Sequence, residues 1–202
     1  MNAGPGKTAS RYPDIKDLAH KDIFGKSMRF AIDNDSENYS FVPPTFELPN
    51  PADEAKFAAY KKKNPGATFI AKPQVGSQGD AICLFKEMKD LPYGVTGKEL
   101  IVQRYLDKPL LLNGFKFDLR VYVCIFGLNP LQAFVCEEGL ARFCTAKYEA
   151  PTKSNYKKAY MHLTNYSINK MSEEYVKPSE GDILLDNDAT KRTLTSLYET
   201  LS

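Results

Sequence analysis

The sequence predicts an α+β fold, with a mixed or antiparallel sheet and flanking helices. Short runs of alternating apolar residues, typical of strands, recur through the middle of the chain. Helical patterns precede and follow these runs, at residues 51–63 and 189–201. Turn signals at residues 127–130 and 138–139 leave only short connections between the last strand runs, which favours antiparallel pairing.

The first 40 residues are expected to form an irregular arm or a remnant of an N-terminal subdomain. Residues 1–20 are polar and interrupted by Pro and Gly. An extended segment is predicted over Tyr39–Leu48, because Pro43 and Pro44 exclude helix and bias their neighbours to extended geometry.

A helix is predicted after this extended segment. Asn50 or Asp53 can cap its N-terminus, and Pro51 suits its first turn. Three lysines at its C-terminal end complement the helix dipole before residues 64–66 stop it. A last helix is predicted within Ala189–Leu201, where four apolar residues recur at helical spacing.

The pattern predicts six strands: Thr68–Lys72, Ala81–Phe85, Leu100–Leu106, Phe117–Gly127, Leu131–Glu137 and Leu140–Cys144. The last three are expected to form an antiparallel meander. One apolar face of the fourth strand is expected to lie in the core, and it consists of Leu119, Val121, Val123 and Ile125.

Composition excludes several classes of protein. The 202 residues include 27 basic and 25 acidic residues, a net charge of +2, which lacks the basic excess of a general nucleic-acid binder. No apolar run reaches the roughly 18 to 20 residues that span a bilayer. The four cysteines lie in apolar runs without C-x-x-C spacing, so we expect buried thiols in a reducing, cytosolic compartment.

Lys72 ends one apolar run, and a Gly-rich turn follows immediately in the segment FIAKPQVGSQGDAICLF. Gly76 and Gly79 let the backbone approach a ligand and turn its N–H groups toward it, while the lysine supplies a point charge for the same anion. A buried ammonium without an anionic partner is costly, so Lys72 needs an anion. The alternative is that Lys72 reaches water at the end of its strand. The Gly-rich turn that follows favours a phosphate as the partner.

The segment IVQRYL, residues 101–106, is an apolar strand that ends in Gln103, Arg104 and Tyr105. Such a strand can present backbone N–H and C=O groups to an adenine edge while its side chains pack around the ring. The alternative is an ordinary half-exposed strand.

The segment KFDLR places Lys116, Asp118 and Arg120 on one face of one strand. Asp118 can hold a ribose hydroxyl or orient a cation, and the two cations can stabilise a transferring phosphoryl group. The alternative is an ion-pair ladder on a sheet surface.

Two later segments carry further polar candidates. Arg142, in EGLARFCT, lies in strand rhythm and suits a carboxylate. His162 is expected to be structural and not a catalytic base, because its motif holds no partner acid. The segment HLTNYSIN groups side chains that hydrogen-bond a ligand or a turn: Thr164, Asn165, Tyr166 and Ser167.

Four segments, in this order and spacing, closely resemble the tubulin tyrosine ligase-like family: IAKPQVGSQGDAI, IVQRYLDKPLLLNGFKFDLRVYV, EGLARF and MHLTNYSINK. The resemblance runs from about Phe41 to the end and is specific, because four separated motifs agree. The family has an ATP-grasp fold, in which ATP lies between two α+β subdomains. The resemblance implies a partial ATP-grasp fold, with a central subdomain at 41–110 and an incomplete C-terminal subdomain at 111–202.

The resemblance also implies roles for single residues. The residues that resemble the family's phosphate contacts are Lys72, Gln78 and Gly79. Those that resemble its adenine hinge are Gln103, Arg104, Tyr105 and Leu106. Further nucleotide contacts are implied at Lys116, Phe117, Asp118, Thr164 and Asn165. The incoming amino acid is implied to contact Arg142, Tyr166 and Lys191. Arg120 matches an arginine that faces phosphate or acceptor, so Arg120 and Arg142 are the implied catalytic residues.

The implied reaction is an ATP-driven ligation onto tubulin. An acceptor glutamate carboxylate attacks the γ-phosphate, and the amine of the incoming amino acid attacks the acylphosphate, with Mg²⁺ neutralising the polyphosphate. The segments EGLARFC and TNYSINK, with Lys191, resemble the glutamate-adding branch. The implied partners are tubulin or microtubules and free glutamate, in the cytoplasm and cytoskeleton, including the cilium or basal body.

The chain departs from the family pattern in two respects. Ala81 stands where family members often have glycine. The family's Mg²⁺ carboxylates and Asn follow a D…E-x-N pattern farther downstream, which four acidic residues here do not reproduce: Asp182, Asp186, Asp188 and Glu199. We therefore expect a fragment or shortened member, without a complete metal site and with weak ATP binding at best.

Four alternatives remain open from the sequence. Within the same class, the nearest are a tubulin glycylase and a tyrosine ligase. In another class, the chain is a non-catalytic ATP- or microtubule-binding module, which the missing carboxylates favour. An ATP-grasp enzyme that makes small-molecule amides has the same physical requirements.

Overall fold

A computed structural model describes residues 12, 20–74, 81–91, 99–178 and 188–202. The chain divides into two compact units, with the boundary between Leu106 and Asp107. The first unit contains α1 (Lys21–Asn34), α2 (Ser36–Tyr39), β1 (Thr45–Leu48), α3 (Pro51–Lys63), β2 (Phe69–Pro73), β3 (Cys83–Phe85), a 3₁₀ turn (Met88–Asp90) and β4 (Leu100–Arg104). Its four strands form one antiparallel sheet in the order β1-β4-β2-β3.

Helix α3 begins as its sequence predicts. The Asn50 side chain accepts hydrogen bonds from the backbone N–H groups of Ala52 and Asp53, and Pro51 follows in the first turn. Phe57 is buried and meets Phe69 of β2 edge-on, with ring centroids 4.9 Å apart. The helix thereby covers a largely aromatic core, consisting of Phe46, Leu48, Phe57, Ala67, Phe69, Ala71, Phe85, Leu91, Leu100 and Val102.

Of the two expectations for residues 1–40, an irregular arm is wrong for residues 21–39, where α1 and α2 form, and a remnant of an N-terminal subdomain stays a prediction. Local signals for α1 are weak, since His20 at its N-cap makes no side-chain capping bond. Arg29 of α1 instead donates to the buried Asp53 carboxylate of α3, 2.5 Å away. Burial raises the pKa of Asp53, but Arg29 and the backbone N–H of Glu47 outweigh burial and lower it overall.

The second unit contains β5 (Leu111–Leu112), β6 (Phe115–Arg120), β7 (Val123–Leu128), β8 (Leu131–Val135), β9 (Leu140–Phe143), α4 (Ala159–His162), α5 (Tyr166–Asn169), β10 (Lys191–Thr193) and α6 (Leu194–Leu201). Its main sheet has the order β10-β9-β6-β5, and β7 and β8 form a separate hairpin. Helix α6 packs on this sheet through a core of Ala141, Phe143, Leu194 and Leu197.

Thr193 at the end of β10 and Glu138 in the turn before β9 position the start of α6. Thr193 caps it by accepting from the N–H of Ser196, at 3.2 Å. Glu138, from the turn before β9, accepts from the N–H of Leu194 at 2.8 Å and from the Thr195 hydroxyl at 2.7 Å. A carboxylate at a helix N-terminus satisfies the free N–H groups and the dipole together.

The predicted meander is wrong, because β9 pairs with β6 and β10 and not with β8. The long strand predicted over residues 117–127 is interrupted at Val121 and Tyr122, where the chain leaves β6 for the hairpin. The apolar face expected in the core is also misplaced. Its four members, Leu119, Val121, Val123 and Ile125, are all exposed in this chain.

The cysteines differ from the expectation of four buried thiols. Cys144 is buried, Cys83 and Cys136 are intermediate, and Cys124 is exposed. Among the described helices, none combines the length and hydropathy that crossing a bilayer requires.

Candidate functional site

In the first unit, Lys72 of β2 reaches Gln103 of the neighbouring strand β4. The Lys72 ammonium donates to Gln103 Oε1 at 3.0 Å. Burial is the main reason that the pKa of Lys72 is lowered, and the charge of Lys21 lowers it further. Among the described residues, the side chain that accepts from this half-buried cation is an uncharged amide, which compensates a positive charge less well than an anion.

A hydrogen-bonded relay orients the Gln103 amide. Gln103 Nε2 donates to Thr45 Oγ1 at 2.9 Å, and that hydroxyl donates to the carbonyl of Pro43 at 2.9 Å. Because its NH₂ group is engaged on β1, Gln103 turns its carbonyl oxygen toward Lys72. The sequence did not indicate Thr45, since only the register of β1 against β4 brings it opposite Gln103.

The predicted adenine hinge begins within the last two residues of β4, Gln103 and Arg104. The backbone N–H of Arg104 donates to the Pro44 carbonyl, and that of Tyr105 donates to the Thr68 carbonyl, both at 2.9 Å. The Arg104 guanidinium also donates to Thr68 O, at 3.2 Å. Tyr105 is buried and Leu106 is 62% exposed. The hinge is thus anchored at its start and open at Leu106.

The predicted phosphate residues Gln78 and Gly79 lie outside the described residues. Ala81, which follows them, has a φ of 53°. This is the left-handed region that favours glycine, the residue that the resemblance leads us to expect at this position.

In the second unit, Asp118 of β6 lies opposite Arg142 of β9. Arg142 donates through Nε to Asp118 Oδ1 at 2.8 Å and through a terminal nitrogen to Oδ2 at 2.5 Å. Asp118 is the main reason that the pKa of Arg142 is raised. The Thr164 hydroxyl donates to the same Oδ2 at 2.8 Å, so Asp118 is hydrogen-bonded to two other predicted site residues.

A common face is predicted for Lys116, Asp118 and Arg120, and contacts to one segment, residues 162–164, support it for the first two. The Lys116 ammonium donates to the carbonyl of His162 at 2.9 Å, two residues before the Thr164 that reaches Asp118. Phe117 points the other way and packs on Phe143, with centroids 5.2 Å apart, against the core. Arg120 ends β6 and is exposed.

A buried amide organises the segment that follows His162. Asn169 Oδ1 accepts from the N–H and hydroxyl of Thr145 at 2.9 and 3.1 Å. Its Nδ2 donates to the carbonyls of Leu163 and Asn165 at 2.7 and 3.1 Å. Asn169 therefore holds both flanks of Thr164 in place. The sequence did not indicate it, because its main partner lies 24 residues away.

Two lysines approach the same aromatic ring. Tyr166, at the start of α5, has the Lys191 ammonium 5.3 Å from its ring centroid and the Lys170 ammonium 5.5 Å from it. Lys191 is paired with Arg142 across β10 and β9. Lys170 was missed by the sequence reasoning, although its spacing of four residues from Tyr166 in a helical segment was a usable signal. Asn165 supplies the carbonyl that starts α5, accepting from the N–H of Asn169 at 3.0 Å.

His162 is 1% exposed. Its ring stands edge-on to Tyr148, and its Nε2 lies 3.3 Å from Asn155 Oδ1. Burial, and next the charge of Lys116, lowers the pKa of His162 to about 4. The ring is therefore neutral at pH 7 and enclosed by side chains of its own unit.

The described residues contain no group of three or more His, Cys, Asp or Glu side chains that could hold a metal ion. Both oxygens of Asp118 already accept from Arg142, and the carboxylate oxygens that Mg²⁺ prefers are not offered together here. These residues do not fit a Mg²⁺ site.

Comparison with known proteins gives a consistent result. The model of the tubulin-tyrosine ligase family matches residues 2–201. The chain is 38% identical over 187 residues to the tubulin polyglutamylase ttll6 of Danio rerio, covering 93% of this chain and 22% of that protein. It is 36% identical over 196 residues to the tubulin polyglutamylase TTLL7 of Homo sapiens, covering 95% and 21%. With TTLL13 of Homo sapiens it shares 38% identity over 188 residues, covering 93% and 22%.

These relatives are several times longer than the match, and the chain spans about a fifth of their length. Within that span the family model accounts for nearly every residue, including both units. The chain belongs to the tubulin-tyrosine ligase family.

Proposed function

We propose that this protein functions as an ATP-dependent ligase that adds glutamate to glutamate side chains of tubulin. The relatives at 36–38% identity are named tubulin polyglutamylases, which supports this choice over a glycylase or a tyrosine ligase. Their names cover proteins about five times longer than the match, so the activity is a proposal for this chain.

The observation that carries the proposal is the state of Lys72. Its ammonium is partly buried, its pKa is lowered, and the described side chain that accepts from it is the neutral amide of Gln103. Folding gains little from a desolvated cation in such a place. A bound polyphosphate supplies the missing anion, and the relay through Thr45 holds the cation ready for it.

We assign nucleotide contacts in the first unit as follows. Lys72 binds phosphate, together with Gln78 and Gly79 as the sequence implies. The hinge of Gln103, Arg104, Tyr105 and Leu106 binds adenine. Since the N–H groups of Arg104 and Tyr105 already donate within the unit, the N–H of Leu106 is the donor that we assign to the adenine edge.

In the second unit we assign further nucleotide contacts to Lys116, Asp118, Thr164 and Asn165, with Phe117 packing behind them. Asp118 is held by Arg142 and Thr164, so it is a fixed acceptor, suited to a ribose hydroxyl more than to a metal ion. A partial ATP-grasp fold is part of this proposal, and it is supported by the family match and the antiparallel sheets.

The incoming amino acid is assigned to Arg142, Tyr166 and Lys191, and we add Lys170. Two ammonium groups at one tyrosine ring, with an arginine on the neighbouring strand, favour an anionic ligand. Glutamate carries one more carboxylate than glycine or tyrosine, so this concentration of positive charge favours it. Arg120, exposed at the end of β6, is proposed to face phosphate or acceptor.

The reaction needs positioned cations and no nucleophile from the chain. The acceptor carboxylate attacks the γ-phosphorus and ADP leaves; the amine of glutamate then attacks the acyl carbon and phosphate leaves. In this scheme Lys72 and Arg120 stabilise the transferring phosphoryl group, and Arg142 and Lys191 hold the amino acid. Mg²⁺ is expected from the family, and no described residue is assigned to it.

Nucleotide binding by the 202-residue chain is the first test. We expect calorimetry to show weak ATP binding, of micromolar affinity or weaker, that Lys72→Met abolishes. Lys62→Met, on the exposed side of α3, is the matched control and should bind as the wild type does. Equal affinity of the Lys72→Met variant and the wild type would contradict the assignment.

Ligation is the second test. The full product of the gene should transfer labelled glutamate to tubulin, and transfer labelled glycine and tyrosine poorly. Incorporation of glycine or tyrosine alone would exclude the polyglutamylase proposal.

Because the proposed substrate is tubulin, we also propose a location in the cytoplasm at the cytoskeleton, including the cilium or basal body. Imaging of the tagged protein together with microtubules tests this location.

A further inference from the structure

The β7–β8 hairpin carries two thiols side by side. Cys124 lies on β7, and Cys136 follows directly after β8. Their sulfur atoms are 4.0 Å apart, at the distance of a thiol–thiol hydrogen bond. This pair lies outside every residue assigned to the ligation reaction above.

The strand register explains the proximity. Val123 is paired with Val135, and Cys124 is paired with Phe134. The next rung is closed by the N–H of Cys136, which donates to the Tyr122 carbonyl at 2.9 Å. Cys124 and Cys136 are therefore diagonal neighbours on one face, where the side chains of an antiparallel pair meet.

Exposure separates Cys124 from the other three cysteines. Cys124 is exposed and Cys136 is intermediate, whereas Cys144 is buried and burial raises its pKa to about 12. Cys83 is half-buried, and burial raises its pKa as well. Oxidants act on thiols that are accessible and form thiolates, so reaction at the hairpin is favoured over reaction at Cys83 or Cys144.

The separation suits a covalent bond. A disulfide needs sulfur atoms about 2.05 Å apart, and rotation of an exposed side chain about χ1 moves its sulfur by more than the remaining difference. We propose that Cys124 and Cys136 form an oxidation site, which closes to an intramolecular disulfide when the protein meets a peroxide.

The two thiols have different roles in this reaction. Cys124 is exposed and Cys136 is less accessible, so Cys124 is the thiol that meets the peroxide. The Cys124 thiolate attacks the peroxide, the O–O bond breaks, and hydroxide leaves a sulfenic acid on Cys124. Cys136 then loses its proton, attacks the Cys124 sulfur, forms the S–S bond and expels water. Two thiols are thereby oxidised while hydrogen peroxide is reduced to two waters.

The bond would join β7 to β8 at the open end of the hairpin, opposite the turn. It closes a loop that contains the whole of β8 and most of β7. Cross-linking removes open conformations from the hairpin, so exchange of its amide hydrogens should slow after oxidation.

The sequence makes the test direct. Trypsin releases residues 121–142 as one peptide, because no Lys or Arg lies between Arg120 and Arg142, and this peptide contains only the two hairpin cysteines. The reduced 202-residue chain is treated with hydrogen peroxide, alkylated and digested. We expect the peptide to lose two hydrogens and resist alkylation, and to regain both thiols with dithiothreitol.

Variants assign the roles. Cys136→Ser should trap Cys124 as a sulfenic acid and raise its dimedone labelling at least about tenfold over the wild type. Cys83→Ser should form the hairpin disulfide as the wild type does. The proposal is overturned if both thiols of the peptide remain alkylatable while free glutathione in the same tube is oxidised. It is also overturned if the disulfide links two chains on a non-reducing gel.

Discussion

Asp118 and Arg142 face each other across β6 and β9 and are joined by two hydrogen bonds, at 2.8 and 2.5 Å. The Asp118 side chain is 36% exposed and that of Arg142 is 22% exposed. Water therefore partly screens the charges of this ion pair. The pair orients the Arg142 guanidinium as much as it stabilises the fold. The carboxylate fixes the guanidinium plane, and Thr164 fixes the carboxylate.

Substitution of this pair should show a measurable coupling energy. We expect Asp118→Asn and Arg142→Gln each to lower the free energy of unfolding by about 1 to 2 kcal/mol, because each leaves a half-buried partner without its counterpart. The double variant should lose less than the sum, with a coupling of about 1 kcal/mol. Urea unfolding of the four proteins measures it, and strict additivity would contradict it.

Lys72→Met is expected to leave the free energy of unfolding unchanged at pH 7, or to raise it. The substitution removes a cation whose pKa is lowered mainly by burial, while the apolar stem is kept. A lysine placed for structure would behave in the opposite way, since its loss would destabilise the chain. Together with loss of ATP binding, this result would separate a binding residue from a structural one.

The pH dependence of the Lys72→Met variant has a defined sign. The folded pKa lies below the ordinary value of 10.5, so the unfolded chain binds more protons between the two values. As pH rises from the folded pKa of Lys72 to 10.5, the free energy of unfolding of the wild type therefore increases, and that of the Lys72→Met variant lacks this increase. Any advantage of the variant should therefore shrink toward pH 10.5.

Ala81→Gly is expected to stabilise the chain by about 0.5 to 1 kcal/mol. A φ of 53° strains an alanine, and glycine relieves this strain at a smaller entropic cost. Ala55→Gly is the matched control, since Ala55 is exposed within α3 and should lose about 1 kcal/mol. Urea unfolding compares them, and the same sign for both substitutions would contradict the strain argument.

Local signals predicted the parts of the fold that depend on local physics. The cap at Asn50 and the proline after it define α3. Alternation predicted β2 and β4, and it placed Lys116 and Asp118 on one face. In these places each side chain is positioned by its own strand or helix.

Pairing across the chain was not predictable in the same way. Alternation continues through Val121 and Tyr122, so it does not show that the chain leaves β6 there. Helix α1 is joined to its unit by the ion pair of Arg29 with Asp53, 24 residues away. Thr45 and Asn169 likewise act on partners fixed only by tertiary register.

Lys170 is expected to act on the amino acid and not on the fold. In the full product of the gene, Lys170→Ala should raise the KM for glutamate by about tenfold, equivalent to about 1.4 kcal/mol, because one of two cations near Tyr166 is lost. Lys170→Arg should retain most of the affinity. Lys157→Ala, at an exposed lysine with no assigned role, is the control.

The KM effect must be separated from a structural effect. Lys170 is exposed, so urea unfolding of Lys170→Ala should match the wild type within about 0.5 kcal/mol. Loss of stability together with an unchanged KM would assign Lys170 to the fold and remove it from the amino acid site.

His162 should make the chain less stable as pH falls from about 6.5 to about 4. Burial lowers its pKa to about 4, while the unfolded chain keeps the ordinary value of 6.5. Between these values the unfolded state binds a proton that the folded state does not bind, so the free energy of unfolding falls by up to about 3 kcal/mol as pH falls and levels off below pH 4.

The chain has two histidines, and His20 is exposed. A proton NMR titration resolves both directly, with His20→Gln to assign the signals. Subtracting the urea-derived stability of His162→Asn across the same pH range removes the contribution of the carboxylates. A His162 that titrates at or above 6.5 would contradict the buried, neutral ring.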